Sequence, residues 1–149
     1  MEADISRVSG DGSSRLRLFR SARLERLTVV SAGGFAALWA VLLPAIGLTG
    51  ALTAWTWTAV PLMIAGLIVW TFTEYALHRY VFHLQPSSPM LKQMVFVIHE
   101  NHHAAPNDPL RNLMPPIVSV PVGALVWLLS LAVFGLSGTW FLLGFMVGY

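Results

Sequence analysis

The sequence contains no cysteine. Disulfides and thiolate metal sites are therefore excluded, and any metal must be held by nitrogen and oxygen. Charge is also scarce: 11% of the 149 residues are Asp, Glu, Lys or Arg, against about 25% in a soluble domain. With 56% hydrophobic residues, the deficit excludes an ordinary water-soluble domain and indicates an integral membrane protein. No charged residue occurs between Thr28 and Thr73, or from Met114 onward. Basic residues are present but uneven. Six of the nine are Arg7, Arg15, Arg17, Arg20, Arg23 and Arg26, ahead of the first apolar run. No folded basic module follows them, so a nucleic-acid partner is not expected. An anchor on the inner leaflet is the simpler reading.

Residues 1–14 are polar and read as disordered. Residues 1–26 form a basic cytoplasmic tail, and 27–149 a membrane domain. Arg15 to Arg26 mixes arginine with Leu16, Leu18, Phe19 and Leu24. It reads as a basic flank orienting the first span, with a short interfacial helix as the alternative. The first span is expected over about Leu27 to Leu48 and the second over about Trp55 to Thr73, with Trp55 and Trp57 placed like an interfacial belt. A third opens at Met114-Pro115-Pro116 and reaches about Gly135; proline is tolerated in a first helical turn.

The last segment, Gly138 to Tyr149, would reach only about 18 Å as a helix, against a hydrocarbon core of about 30 Å. It is expected to be a partial fourth span of a chain cut short, because helix ends in lipid leave polar groups unsatisfied. A segment lying at the interface is the alternative. The expected fold is an all-α, polytopic membrane helical bundle, three full spans plus a partial fourth, with a cytoplasmic histidine-rich region. The arginine-rich start, the uncharged first turn and the basic histidine region agree that the N-terminus and the histidines face the cytoplasm. A single Lys against eight Arg favours a bacterial inner membrane over the endoplasmic reticulum.

All five histidines lie between His78 and His103. Imidazole is the commonest transition-metal ligand, and ionisable groups beside membrane spans are functional by default. On a helix His99 neighbours both His102 and His103 at i+3 and i+4. His78 and His83 are five apart and point in different directions on a regular helix. They would serve different metals, or one site if the helix ends or bulges. Glu74, one turn before His78, can orient that ligand through its second ring nitrogen. His99-Glu100-x-x-His103 also matches the zinc-protease pattern, with Glu100 as general base. That reading leaves His78, His83 and His102 without a role. Arg79, Lys92 and Arg111 read as topological charge rather than as headgroup or donor-protein contacts. Asn107 and Asp108 read as turn formers before proline or as supporting acceptors to the ligands.

The runs Glu74-Tyr-x-x-His-Arg-x-x-Phe-His83, His99-x-x-His-His-x-x-Pro-x-Asp108 and Arg111-x-x-Met-Pro-Pro116 together resemble the fatty acid hydroxylase family of membrane di-iron enzymes. The Pro-x-Asp and Met-Pro-Pro elements resemble the 2-hydroxylases that act on sphingolipid acyl chains. The resemblance implies that His78, His83, His99, His102 and His103 ligate two iron ions, with zinc able to occupy such sites, and that Glu74 and Asp108 support them. It implies hydroxylation of a lipid acyl chain at carbon 2, using dioxygen and an external cytochrome b5-like or ferredoxin-like electron donor. Two metals of five or six coordination need about ten ligands, so five histidines are expected to be an incomplete set. By this reading the chain alone is a metal-binding membrane fragment that is not expected to catalyse the reaction unaided.

Overall fold

A computed structural model describes Arg7–Val8 and residues 15–149. It is helical apart from a two-residue antiparallel ladder, β1 (Arg7–Val8) with β2 (Arg15–Leu16). The expectation of disorder over 1–14 otherwise falls outside the described residues. The helices are α1 (Ala22–Leu27), α2 (Ala32–Thr53), α3 (Ala59–Ala76), α4 (Pro89–Val95), α5 (Asn101–Ala104), α6 (Pro116–Phe134) and α7 (Gly138–Gly148). Two π-helical segments, Leu77–Phe82 and Phe96–Glu100, continue α3 and join α4 to α5. Three stretches are long and apolar enough to cross a membrane: Ala32–Thr53, Ala59–Phe82 and Pro116–Gly148. The protein is thus an integral membrane protein by length and composition of its helices.

The chain forms two compact units, Ala36–Ala76 with Ser119–Tyr149, and Met1–Phe35 with Leu77–Val118. In the first, α7 runs along three neighbours. It is antiparallel to α2, where Trp140 Nε1 donates to Ala54 O at 2.8 Å and Trp39 meets Tyr149 edge-on. It is parallel to α3, where a Cβ on Gly66 would lie 2.1 Å from Phe141 O and one on Gly144 would lie 1.9 Å from Met63 O. It is antiparallel to α6, where Trp127 Nε1 donates to Thr139 Oγ1 at 3.1 Å. The chain reverses between α6 and α7 through the 3₁₀ turn Gly135–Ser137, with Gly135 at φ 58°, a conformation that glycine adopts without steric cost.

Small residues permit these close approaches, which matter because lipid offers no hydrophobic drive for helix association. The outward faces are apolar, and Leu52 and Val133 stand open as lipid-facing side chains do. Trp55 and Trp57 are 78% and 86% exposed in the α2–α3 turn, as an aromatic belt requires. The tryptophans at 39, 70 and 140 serve packing around α7. The last segment therefore packs lengthwise in the bundle, and the interfacial alternative is not observed.

Two boundaries differ from the sequence reading. The first span begins at Ala32, not Leu27, and ends at Thr53, not Leu48. Thr28–Ser31 leaves the helix because Val30 N donates to Leu110 O at 3.1 Å, and Ser31 Oγ then accepts from Gly34 N at 3.0 Å, as a helix N-cap does. The second helix begins at Ala59 and continues past Thr73 to Phe82.

Candidate metal centre

The second unit holds all five histidines. His78 lies in the π segment Leu77–Phe82 and His83 directly follows it. A π-helix bonds each residue to the fifth along, so five-apart side chains share a face. That is the bulge the five-residue spacing needed: His78 Nε2 and His83 Nε2 are 3.2 Å apart. His99 lies in the other π segment, and His102 and His103 follow on α5. His99 Nε2 and His103 Nε2 are 3.1 Å apart.

These pairs meet. One ring nitrogen each from His78, His83, His99 and His103 lie within 4.8 Å of one another. Two nitrogens about 2.0–2.1 Å from one ion sit roughly 2.8–3.4 Å apart at octahedral or tetrahedral angles, so the paired spacings suit a shared ion. His102 lies outside this foursome but adjoins it, its ring 4.3 Å from His99 and 4.2 Å from His103 between centroids. Phe82 stacks on the His99 ring at 4.6 Å.

Electrostatics agree with ligation. Burial, then the neighbouring imidazoles, pushes His99 from 6.5 down to about 4. Burial, then His103, His78 and His83, lowers His102. Both effects disfavour the imidazolium, and metal binds the neutral ring.

Sequence reasoning overlooked Asn101. This buried amide donates to Phe96 O at 3.0 Å and Val97 O at 2.8 Å. It thereby satisfies carbonyls at the start of the widened turn, where helical bonding is irregular. It also overlooked Glu25, whose Oε2 accepts from Leu18 N and Phe19 N at 3.0 and 2.9 Å. Its Oε1 accepts from the Arg111 guanidinium. Arg111 is therefore not the topological charge expected. Its side chain is 1% exposed, and Nε lies 3.8 Å from Asp108 Oδ2. An ionised guanidinium at that depth requires such partners.

Asp108 forms the turn anticipated for it, with Oδ1 accepting from Leu110 N at 3.0 Å. Arg79 and Lys92 are exposed. Glu74 stands on α3, four residues before His78.

The protease pattern is not assembled as a unit. Glu100 lines an open cleft with Gln85, Ser87 and Lys92, while His99 and His102 line a separate cavity of about 160 Å³ with Arg111 and Met114. His99 and His103 instead join His78 and His83, which that pattern leaves unused.

Comparison with known proteins agrees with this geometry. A family model described as fatty acid hydroxylase matches residues 63–149, more than half of the chain. Dihydroceramide fatty acyl 2-hydroxylase FAH1 of Arabidopsis thaliana is 36% identical over 74 residues, covering 50% of this chain and 31% of its own. Fatty acid 2-hydroxylase of Mus musculus is 43% identical over 58 residues, covering 38% of this chain and 16% of its own. A solved structure, full-length scs7p with only its hydroxylase domain visible, aligns with a TM-score of 0.78 at 30% identity over 94% of this chain and 53% of that one. The chain therefore spans about half the length of that structure and less of the two relatives. On its motifs, its fold and the matched region, the chain belongs to the fatty acid hydroxylase family.

Proposed function

We propose that this protein takes part in 2-hydroxylation of lipid acyl chains, of fatty acids or of sphingolipids. One observation carries the reading: in a chain of this family, His78, His83, His99 and His103 converge within 4.8 Å. The residues suit a metal, since every donor is a ring nitrogen and burial and crowding keep His99 neutral. His78, His83, His99, His102 and His103 would hold iron, with zinc a possible occupant. When bound, a pair of iron ions would supply reduction of dioxygen, one oxygen atom entering a C–H bond and the other leaving as water. The two electrons would come from an external donor of cytochrome b5-like or ferredoxin-like type.

The chain's own residues would act around this centre. The two π segments turn the imidazoles toward one another. Phe82 covers one face of His99. Asn101 fixes the turn that carries His99. Glu74 would orient His78, and Asp108 would steady the loop after α5 through Arg111. The histidine unit and the basic tail would face the cytoplasm, as the placement of arginines argues. Residues 1–26 would be a basic tail, and residues 27–149 would belong to the membrane domain.

The test is genetic. Deleting the gene in its source organism should remove 2-hydroxy acyl lipids from the lipid profile. A wild-type copy should restore them, and a His99→Ala copy should not. Unchanged 2-hydroxy lipids on deletion would overturn the assignment.

A further inference from the structure

The N-terminal arm and the histidine segment are joined by a closed ring of contacts. Leu18 is 1% exposed and packs with Ala105, and Phe19, Phe96 and Val97 complete the cluster. Phe96 and Val97 open the π segment that carries His99, and Ala105 directly follows α5 with His102 and His103. The arm thus holds both ends of the segment that presents three imidazoles. Its own place is set by Glu25, which accepts from Leu18 N and Phe19 N with one oxygen and from the Arg111 guanidinium with the other. From Arg111 the ring returns by two turns, Arg111 N to Asp108 O at 3.1 Å and Asp108 N to Ala105 O at 3.0 Å. Arg111 also shares a cavity wall with His99, Asn101 and His102.

A contact that merely adhered would not need a buried arginine paired with a half-buried carboxylate. Apolar side chains of similar volume hold as well, whereas a paired arginine and carboxylate fix direction and distance. We propose that Glu25 and Arg111 are positioning residues for the histidine centre. Their ion pair makes residues 17–25 a strap that sets the place of the His99 ring. The inference deepens the reading of His99 as a ligand, and rests on it only for the metal measurement below.

The full chain in detergent would be compared with Glu25→Gln, Arg111→Lys and Leu18→Ala. Arg23→Gln and Arg26→Gln, exposed on the same helix, serve as controls. Carbethoxylation by diethyl pyrocarbonate, read by peptide mass spectrometry, compares His99 with the exposed His83. Glu25→Gln and Leu18→Ala should raise the His99 rate severalfold and leave His83 unchanged, with helix content by circular dichroism preserved. Arg111→Lys, which keeps the charge but not the fork, should fall between them and wild type. The controls should match wild type. An unchanged His99-to-His83 ratio in Glu25→Gln and Leu18→Ala overturns the proposal. So does a uniform rise at every histidine with loss of helix, which marks a purely structural role.

Cobalt(II) titration, followed by its visible absorption, should show about tenfold weaker binding in Glu25→Gln, the scale expected for groups that orient ligands. Failure of the wild-type chain to take up cobalt would sink the ligand reading, while the His99 ratio still decides the strap.

Discussion

His99 is the hub of the imidazole group. It is 6% exposed, with His78 at 4.7 Å, His102 at 4.3 Å and His103 at 4.9 Å between ring centroids. Asn101 keeps it there through two amide hydrogen bonds. Asn101→Leu removes both amide donors, while Phe96 O keeps the backbone N–H of residue 101. The expected loss is about 1–2 kcal/mol of stability, the net worth of the hydrogen bonds removed, measured by denaturant unfolding in mixed micelles. The histidines were legible because five of one rare type fall in a single polar belt. Asn101 was not, since an amide inside a histidine run looks like a spacer. Glu25 reads as charge balance among arginines, and its partner lies 86 residues away, beyond any local pattern. Arg111 was misread for the same reason.

Helical pitch decides whether the histidine pairs exist. The π segment Leu77–Phe82 closes its hydrogen bonds over five residues and so pairs His78 with His83. The sequence posed that condition without resolving it, because nothing in Leu-His-Arg-Tyr-Val-Phe marks a wide turn. Inserting one alanine between Arg79 and Tyr80 makes the spacing six, which neither α nor π pitch brings onto one face. Cobalt or zinc affinity should fall at least about tenfold while circular dichroism keeps its helical signal; undiminished affinity would refute the pairing. The α3–α7 seam is just as specific. Gly144→Ala puts a methyl 1.9 Å from Met63 O. Backbone cannot yield as a flexible side chain does, so a loss of about 1–3 kcal/mol is expected, seen as a lower unfolding midpoint. Apolar runs made the long helices legible. The capping by Ser31 and the pairing of Val30 with Leu110, which moved the first boundary, depend on a distant loop.

At the scale of the whole molecule, the absence of cysteine becomes an experimental convenience. Single cysteines at Ser21, Ser87 and Thr56 would be the only thiols. With α2 crossing the bilayer, the first two should react with a membrane-impermeant maleimide from the cytoplasmic side and the third from the opposite side. Labelling of positions 21 and 87 from the outer side and of position 56 from the cytoplasmic side would refute the orientation read from the arginines, and labelling of all three from one side would refute the crossing by α2. The spans, the histidine belt and the family pattern were legible because they depend on composition and spacing. The strap of residues 17–25 was not, because it joins segments whose pairing exists only after folding.

The four converging imidazoles come from two segments separated in sequence by the stretch from Leu84 to Ile98. Under the proposed ligation, an ion shared by them acts as a staple across that stretch, and its binding energy counts toward holding the fold. Survival of the protein in its membrane would then follow the iron supply of the cell. In scarcity the stretch would open more often, proteases would find it sooner, and the amount of protein would fall with no change in transcription.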